Sequence, residues 1–106
     1  MAERRRRRTT QRARDRLRLR LAGEIEALAR LEAGGSPGRP LSVDSVAVIE
    51  IRATAAPCLL CEGPLRLVAH RAEVIDGARL RVADVACAMC GVERAIYFRL
   101  EEPLIN

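Results

Sequence analysis

Apolar residues recur along this chain with two different periods. Between about Gln11 and Ala33, Leu17, Leu21, Leu28 and Leu31 follow one another at spacings of four, seven and three, with Ile25 flanking the polar gap at Glu24. Such spacings bring side chains to one side of a helix, so the stretch predicts a helix with a single apolar stripe. Glu26 and Arg30 stand four apart in the favourable order. Gly23 weakens the middle by about 1 kcal/mol relative to Ala, and Gly34 and Gly35 end it. From Gly34 to Pro40 (GGSPGRP) no periodicity survives, and residues 34–44 read as a linker.

Beyond the linker the period shortens. Ser45 to Ala53 is rich in Val and Ile, with Ile49 and Ile51 alternating with Val48, Glu50 and Arg52, and reads as a strand. Further strands are expected over about Leu65 to Ile75, Ala78 to Ala86 and Glu93 to Leu100. In the last, Ile96, Phe98 and Leu100 share one face, with Tyr97 and Arg99 on the other. Asp76-Gly77 between the second and third is a strong hairpin signal. A two-residue turn there would set Glu73 against Leu80 and mix the faces. An odd-length loop places Val74, Ala72 and Val68 with Leu80, Val82 and Ala86, and Glu73 near Arg79 or Arg81, so the odd loop is the expected register.

Charge divides the chain. Residues 1–20 carry ten Arg (Arg4, Arg5, Arg6, Arg7, Arg8, Arg12, Arg14, Arg16, Arg18 and Arg20) against Glu3 and Asp15. The local balance of +8 contrasts with −3 over the remaining 86 residues. Five consecutive Arg repel one another and bury nothing, so residues 1–10 are expected to be a disordered tail. The alternating Arg12 to Arg20 surround the helix that follows. A basic arm on a mildly acidic domain is a layout for binding polyanions. No apolar run follows Arg4–Arg8, which argues against a secretory or twin-arginine signal and against a membrane span. An Arg-rich, acid-poor mitochondrial leader stays open; the expected compartment is the cytoplasm.

The chain is poor in rings, with one Tyr, one Phe and no Trp in 106 residues. Small domains with thin cores often need a disulfide or a metal. Four Cys supply the candidates. They form two C-x2-C pairs, Cys58/Cys61 and Cys87/Cys90, separated by 25 residues. Thiols in the cytoplasm stay reduced, and paired Cys there bind metal more often than each other. A hairpin at Asp76-Gly77 sets Cys87 opposite residues 65–67, just past Cys61, so both pairs reach the same end of one β-ribbon. Four thiolates around one ion suit a structural Zn²⁺. Iron held by similar knuckles, a redox dithiol and a disulfide pair are the alternatives.

Gly91 directly after Cys90 and Gly63 two after Cys61 suit the tight turns of metal knuckles. Over about residues 55–101 this pattern resembles the zinc-ribbon group: two Cys knuckles on a three-stranded antiparallel sheet. The resemblance assigns Cys58 and Cys61 to the first knuckle and Cys87 and Cys90 to the second. The chain departs from the group at Glu62, where Gly is common, and at Leu59 and Ala88, where Pro is frequent. The expected fold is therefore small, metal-bound α+β: an N-terminal helix over residues 11–33 and a three- to four-stranded antiparallel ribbon sheet over 45–106.

Chemistry outside the cysteines is sparse. His70 is the sole His and would meet Asp84 across the hairpin in one register; alone it reads as a half-exposed strand residue. No phosphate loop, dinucleotide fingerprint or carboxylate pair is present. The expectation is a protein without catalysis or small-molecule substrate. Its partners would be DNA or RNA, held through the phosphate backbone by the ten N-terminal Arg, with zinc ribbons' frequent place in nucleic-acid processing pointing the same way. The alternative is an adaptor that docks on a protein, or on a second copy, through Leu17, Leu21, Ile25, Leu28 and Leu31 or through a sheet edge.

Overall fold

The computed structural model describes residues 2–101. Met1 of the expected tail and residues 102–106 of the expected ribbon domain lie outside the described residues. Helix α1 spans Ala2–Ala29, so the stretch expected to be a disordered tail is helical. Arg is a good helix former, and no Gly or Pro occurs before Gly23. Opposing this, Arg4, Arg8, Arg12, Arg16 and Arg20 form a ladder at spacing four. Each like-charged pair in it costs roughly 0.2–0.5 kcal/mol. Two side-chain bonds along the same segment act locally: Thr9 Oγ1 donates to the Arg5 carbonyl at 2.8 Å, and Gln11 Nε2 donates to Asp15 Oδ1 at 2.9 Å.

The apolar stripe of α1 is left uncovered. Leu17, Leu21, Leu28 and Leu31 are all exposed, and among the described residues α1 packs along no other element. Only Ala22, Ile25, Glu26 and Ala29 are half-buried. Glu26 does not pair with Arg30; its carboxylate binds the guanidinium of Arg94 and ties the end of α1 to the sheet. After Ala29 the chain tightens into turns, and the Gly34 carbonyl accepts from the Tyr97 N–H at 2.8 Å.

The expected linker contains a short strand, β1, over Leu41–Val43. The expected strand over 45–53 is a helix, α2, spanning Val46–Ala55. Four of its first six residues are β-branched, which lowers intrinsic helix propensity by a few tenths of a kcal/mol each (~0.3–0.6). Burial outweighs that. Ile49 and Ala53, one turn apart, face the core, and a fully buried Ile is worth about 1.5–3 kcal/mol. The ends are marked by local chemistry. Ser45 is extended (φ −148, ψ 141) and its hydroxyl accepts from the Ala47 N–H, while Ala56 is extended before Pro57.

Strands β2 (Leu65–Ile75), β3 (Ala78–Cys87) and β4 (Glu93–Leu100) complete a sheet of order β1-β4-β3-β2. β2, β3 and β4 are antiparallel, as expected for a ribbon, but β1 runs parallel to β4, so the sheet is mixed. The hairpin closes through the two-residue turn, not an odd loop: Ile75 lies opposite Ala78, and Glu73 opposite Leu80. Asp76 (φ 50) and Gly77 (φ 80) both take positive φ, the signature of a tight hairpin turn whose twist matches the strands.

A β-bulge between Leu67 and Ala69 resolves the mixed faces. On the turn side of it His70 faces Ala83; on the far side Leu67 faces Val85 and Leu65 faces Cys87. One extra residue, Val68, thus turns Leu65 and Leu67 toward α2 instead of away from it. The core under α2 is Val43, Ile49, Ala53, Ala83, Val85 and Phe98, with Leu41, Val48, Leu65, Leu67 and Ile96 at its border. On the other face of β3, Val82 stands between Arg71 and Tyr97 and is also buried.

A strand would place Ile49 and Ile51 on the same face; the helix buries Ile49 and leaves Ile51 exposed at 68%. Ile49→Ala should therefore lower stability to urea by about 2–4 kcal/mol, and Ile51→Ala by less than about 0.5 kcal/mol.

Candidate metal centre

The two Cys pairs sit on two turns built to one plan. In the first, the Cys58 N–H donates to the Gly63 carbonyl at 2.9 Å and the Glu62 N–H to the Cys58 carbonyl at 2.9 Å. In the second, the Cys87 N–H donates to the Val92 carbonyl at 2.9 Å and the Gly91 N–H to the Cys87 carbonyl at 3.0 Å. The offsets are the same in both, four and five residues from the leading Cys. Each turn needs positive φ at the residue after its second Cys. Gly91 supplies it at φ 78, and Glu62 supplies it at φ 63. The departure from the ribbon pattern at Glu62 is thus absorbed by a strained backbone, at a cost of roughly 1 kcal/mol, and the knuckle keeps its shape.

The fold brings the knuckles together from opposite sides. The second follows directly from β3, and the first leads into β2 through Pro64, whose carbonyl accepts from the Ala88 N–H at 2.9 Å. Leu65 lies opposite Cys87, within the range 65–67 that the hairpin argument predicts. Gly63 lies under the second knuckle: a Cβ there would stand 2.6 Å from Met89 Cγ and 3.0 Å from Cys87 Sγ. The glycine is needed for this close approach rather than for an unusual φ.

Among the described residues, Cys58, Cys61, Cys87 and Cys90 form a group whose Sγ atoms all lie within 4.8 Å of one another. Cys58 Sγ is 3.7 Å from Cys90 Sγ, and Cys61 Sγ is 3.4 Å from Cys87 Sγ. A disulfide would need about 2.05 Å. A tetrahedron with metal–sulfur bonds of about 2.3 Å has edges of about 3.8 Å, close to what the four sulfurs offer. All four cysteines are free, Cys58 and Cys87 buried and Cys61 and Cys90 exposed. The set fits a metal ion held by sulfur alone.

Backbone N–H groups already aim at the sulfurs. Leu60 donates to Cys58 Sγ at 3.4 Å, Gly63 to Cys61 Sγ at 3.4 Å, and Met89 and Cys90 to Cys87 Sγ at 3.3 and 3.4 Å. The Cys90 N–H, with that of Met89, pulls the Cys87 thiol down to about 6 against the burial that opposes it. At Cys61 the Gly63 N–H favours the thiolate, but hydrogen bonding with Cys87, burial and the other two sulfurs push the thiol up to about 12. The arrangement favours the thiolate at Cys87 and the thiol at Cys61. A cation supplies positive charge to all four at once.

The other expected residues are placed elsewhere. The ten Arg from Arg4 to Arg20 are exposed on α1. His70 does not meet Asp84. It faces Ala83, and its Nε2 is buried without a hydrogen-bond partner, whereas Asp84 faces Ala69 and accepts from Arg71 Nε at 3.0 Å. No helix among the described residues is long and apolar enough to cross a membrane. Three features escaped sequence reasoning: the Glu62 conformation, the Val68 bulge and the Glu26–Arg94 tie. The equal spacing of Glu62 and Gly91 from their Cys pairs was a usable signal for the first.

Because the two knuckles differ at one position, paired substitutions separate geometry from chemistry. Glu62→Gly should stabilise the metal-loaded protein by up to about 1 kcal/mol, and Gly91→Ala should destabilise it by about 1 kcal/mol, both read by urea unfolding. No protein-family model, curated protein or solved structure matches this chain.

Proposed function

We propose that the chain is a non-catalytic zinc-ribbon protein that contacts nucleic acid through the arginines of α1. The observation that carries the metal half is the convergence of four Sγ atoms within 4.8 Å, at spacings suited to tetrahedral thiolate ligation. Four sulfurs fill the coordination of Zn²⁺ and leave no open position for a substrate, so the metal is structural. Iron in such knuckles is shielded by several aromatic rings, and this chain has only Tyr97 and Phe98. Thiolates of this kind persist in a reducing compartment, which makes the cytoplasm the natural location.

The nucleic-acid half rests on α1. Ten exposed Arg on a helix that packs on no other element leave their charge free for phosphates. A second reading, a protein adaptor, is favoured by one observation: Leu17, Leu21, Leu28 and Leu31 stay exposed instead of joining the core. Beside the end of that stripe, a groove of about 500 Å³ runs between α1, α2 and the first knuckle, lined by Glu26, Arg52, Leu59 and Arg94 among others.

Elemental analysis of the purified protein should find about one zinc per chain, and Cys87→Ser should lose both the metal and the folded signal in circular dichroism. Acid should release the metal, since protons compete for the same sulfurs. For α1, log K for random-sequence nucleic acid should fall against log[salt] with a slope steeper than about −4, and removal of residues 1–20 should flatten it. Retention of nucleic acid by neither form at low salt would favour the adaptor.

A further inference from the structure

We infer that α1 seats in the major groove of duplex DNA, with its arginines reaching the phosphates of both strands. The inference rests on the nucleic-acid reading above and names its ligand. It comes from how the arginines are distributed on a helix. At about 100° per residue, Arg4, Arg8, Arg12, Arg16 and Arg20 form one slowly winding row, with Arg5 beside it. Arg7, Arg14 and Arg18 form a second row, and from Arg12 onward the two lie on opposite flanks of the cylinder, with Arg6 between them near the start of the helix. Gln11 and Asp15 occupy one gap between the rows, and Thr10, Leu17 and Leu21 the other.

A flat anionic surface satisfies one flank and leaves the other facing water, which is how amphipathic helices on membranes place their charge. Two basic flanks need anions on two sides. A groove walled by two phosphate backbones provides that. The helix with its side chains is about 10–12 Å across, and the B-form major groove is about 12 Å wide. The deep groove of A-form RNA is too narrow to admit it. Single strands are held largely by bases stacking on aromatic rings, and α1 has none.

The rest of the molecule leaves room for such a pose. Residues 4–21 are exposed throughout, and the first tie to the sheet comes at Glu26 with Arg94. The free segment from Ala2 to Arg20 is about 28 Å long. The phosphates would also neutralise the Arg ladder that opposes the helix in isolation. Gln11 donates to Asp15, so the polar groups between the rows are occupied with each other. Base readout is therefore minor, and little sequence preference is expected.

The test uses the full metal-loaded chain and fluorescence anisotropy at fixed salt, with a random duplex DNA, the RNA duplex of the same sequence, the single strands, and a DNA duplex carrying bulky groups at pyrimidine C5, which project into the major groove. Duplex DNA should bind at least about tenfold tighter than duplex RNA, and the C5-modified duplex should lose about tenfold. Ala13→Pro, which breaks the helix and keeps every charge, should lose about tenfold on duplex DNA and little on single strands, with zinc content unchanged as the control for folding. Equal affinity for both duplexes, indifference to the C5 groups, or full retention by A13P would overturn the groove while leaving phosphate contact intact. Binding to none of the four at low salt would remove the underlying reading as well.

Discussion

Four sulfurs converge on one point where the two ends of the β2–β3 hairpin meet. Each knuckle is a short turn with little apolar surface of its own. The first stands at the exit of α2 and the second at the exit of β3, and the Pro64–Ala88 hydrogen bond is the main-chain link between them. The core beneath is small, with Phe98 its one aromatic ring. In a domain of this size a cation held by four thiolates would contribute a large share of the folding free energy, and the apolar cluster contributes specificity of packing. The N–H groups aimed at sulfur mean that the backbone is already arranged for negative charge at that point.

Much of this centre was legible in the residues. The paired spacing and the Asp76-Gly77 turn are enough to place Cys87 opposite residues 65–67, just past the first pair. What could not be read was how the hairpin reconciles its faces. Alternation along β2 and β3 pointed to an odd loop, because a continuous ladder was assumed. The chain keeps the tight turn and inserts the extra residue at Val68, inside the strand, where local sequence carries no clear mark. The helix α2 was hidden for a related reason. Val46, Val48, Ile49 and Ile51 favour a strand locally, and only contact with Phe98, Ala83 and Val85, distant in sequence, makes the helical arrangement the one that buries Ile49. Ser45 before it and Pro57 after it were the visible clues.

α1 obeys a different logic. Its order owes little to packing, since its Leu side chains remain in water and its attachment is confined to its last two turns, where Glu26 pairs with Arg94 and Ile25 and Ala29 are half-buried. Its charges are plain in the sequence, but five neighbouring Arg point to a repulsion that opposes structure. Repulsion of a few tenths of a kcal/mol per pair (~0.2–0.5) is too weak to override the run from Ala2 to Ala22 without Gly or Pro. The molecule thus joins a domain of slightly negative charge, built around a four-cysteine cluster, to a cationic rod, two parts stabilised by unrelated forces.

The sheet leaves β2 as a long outer strand, eleven residues whose far side meets no other strand among the described residues. Such an edge is a template for another chain, the first step toward aggregation. Here the edge carries Arg66, Arg71 and Glu73, and the Val68 bulge interrupts it near the middle. A second strand laid against β2 would lose its ladder at that point. The residue that turns Leu65 and Leu67 inward therefore also guards the protein against polymerising through its own sheet.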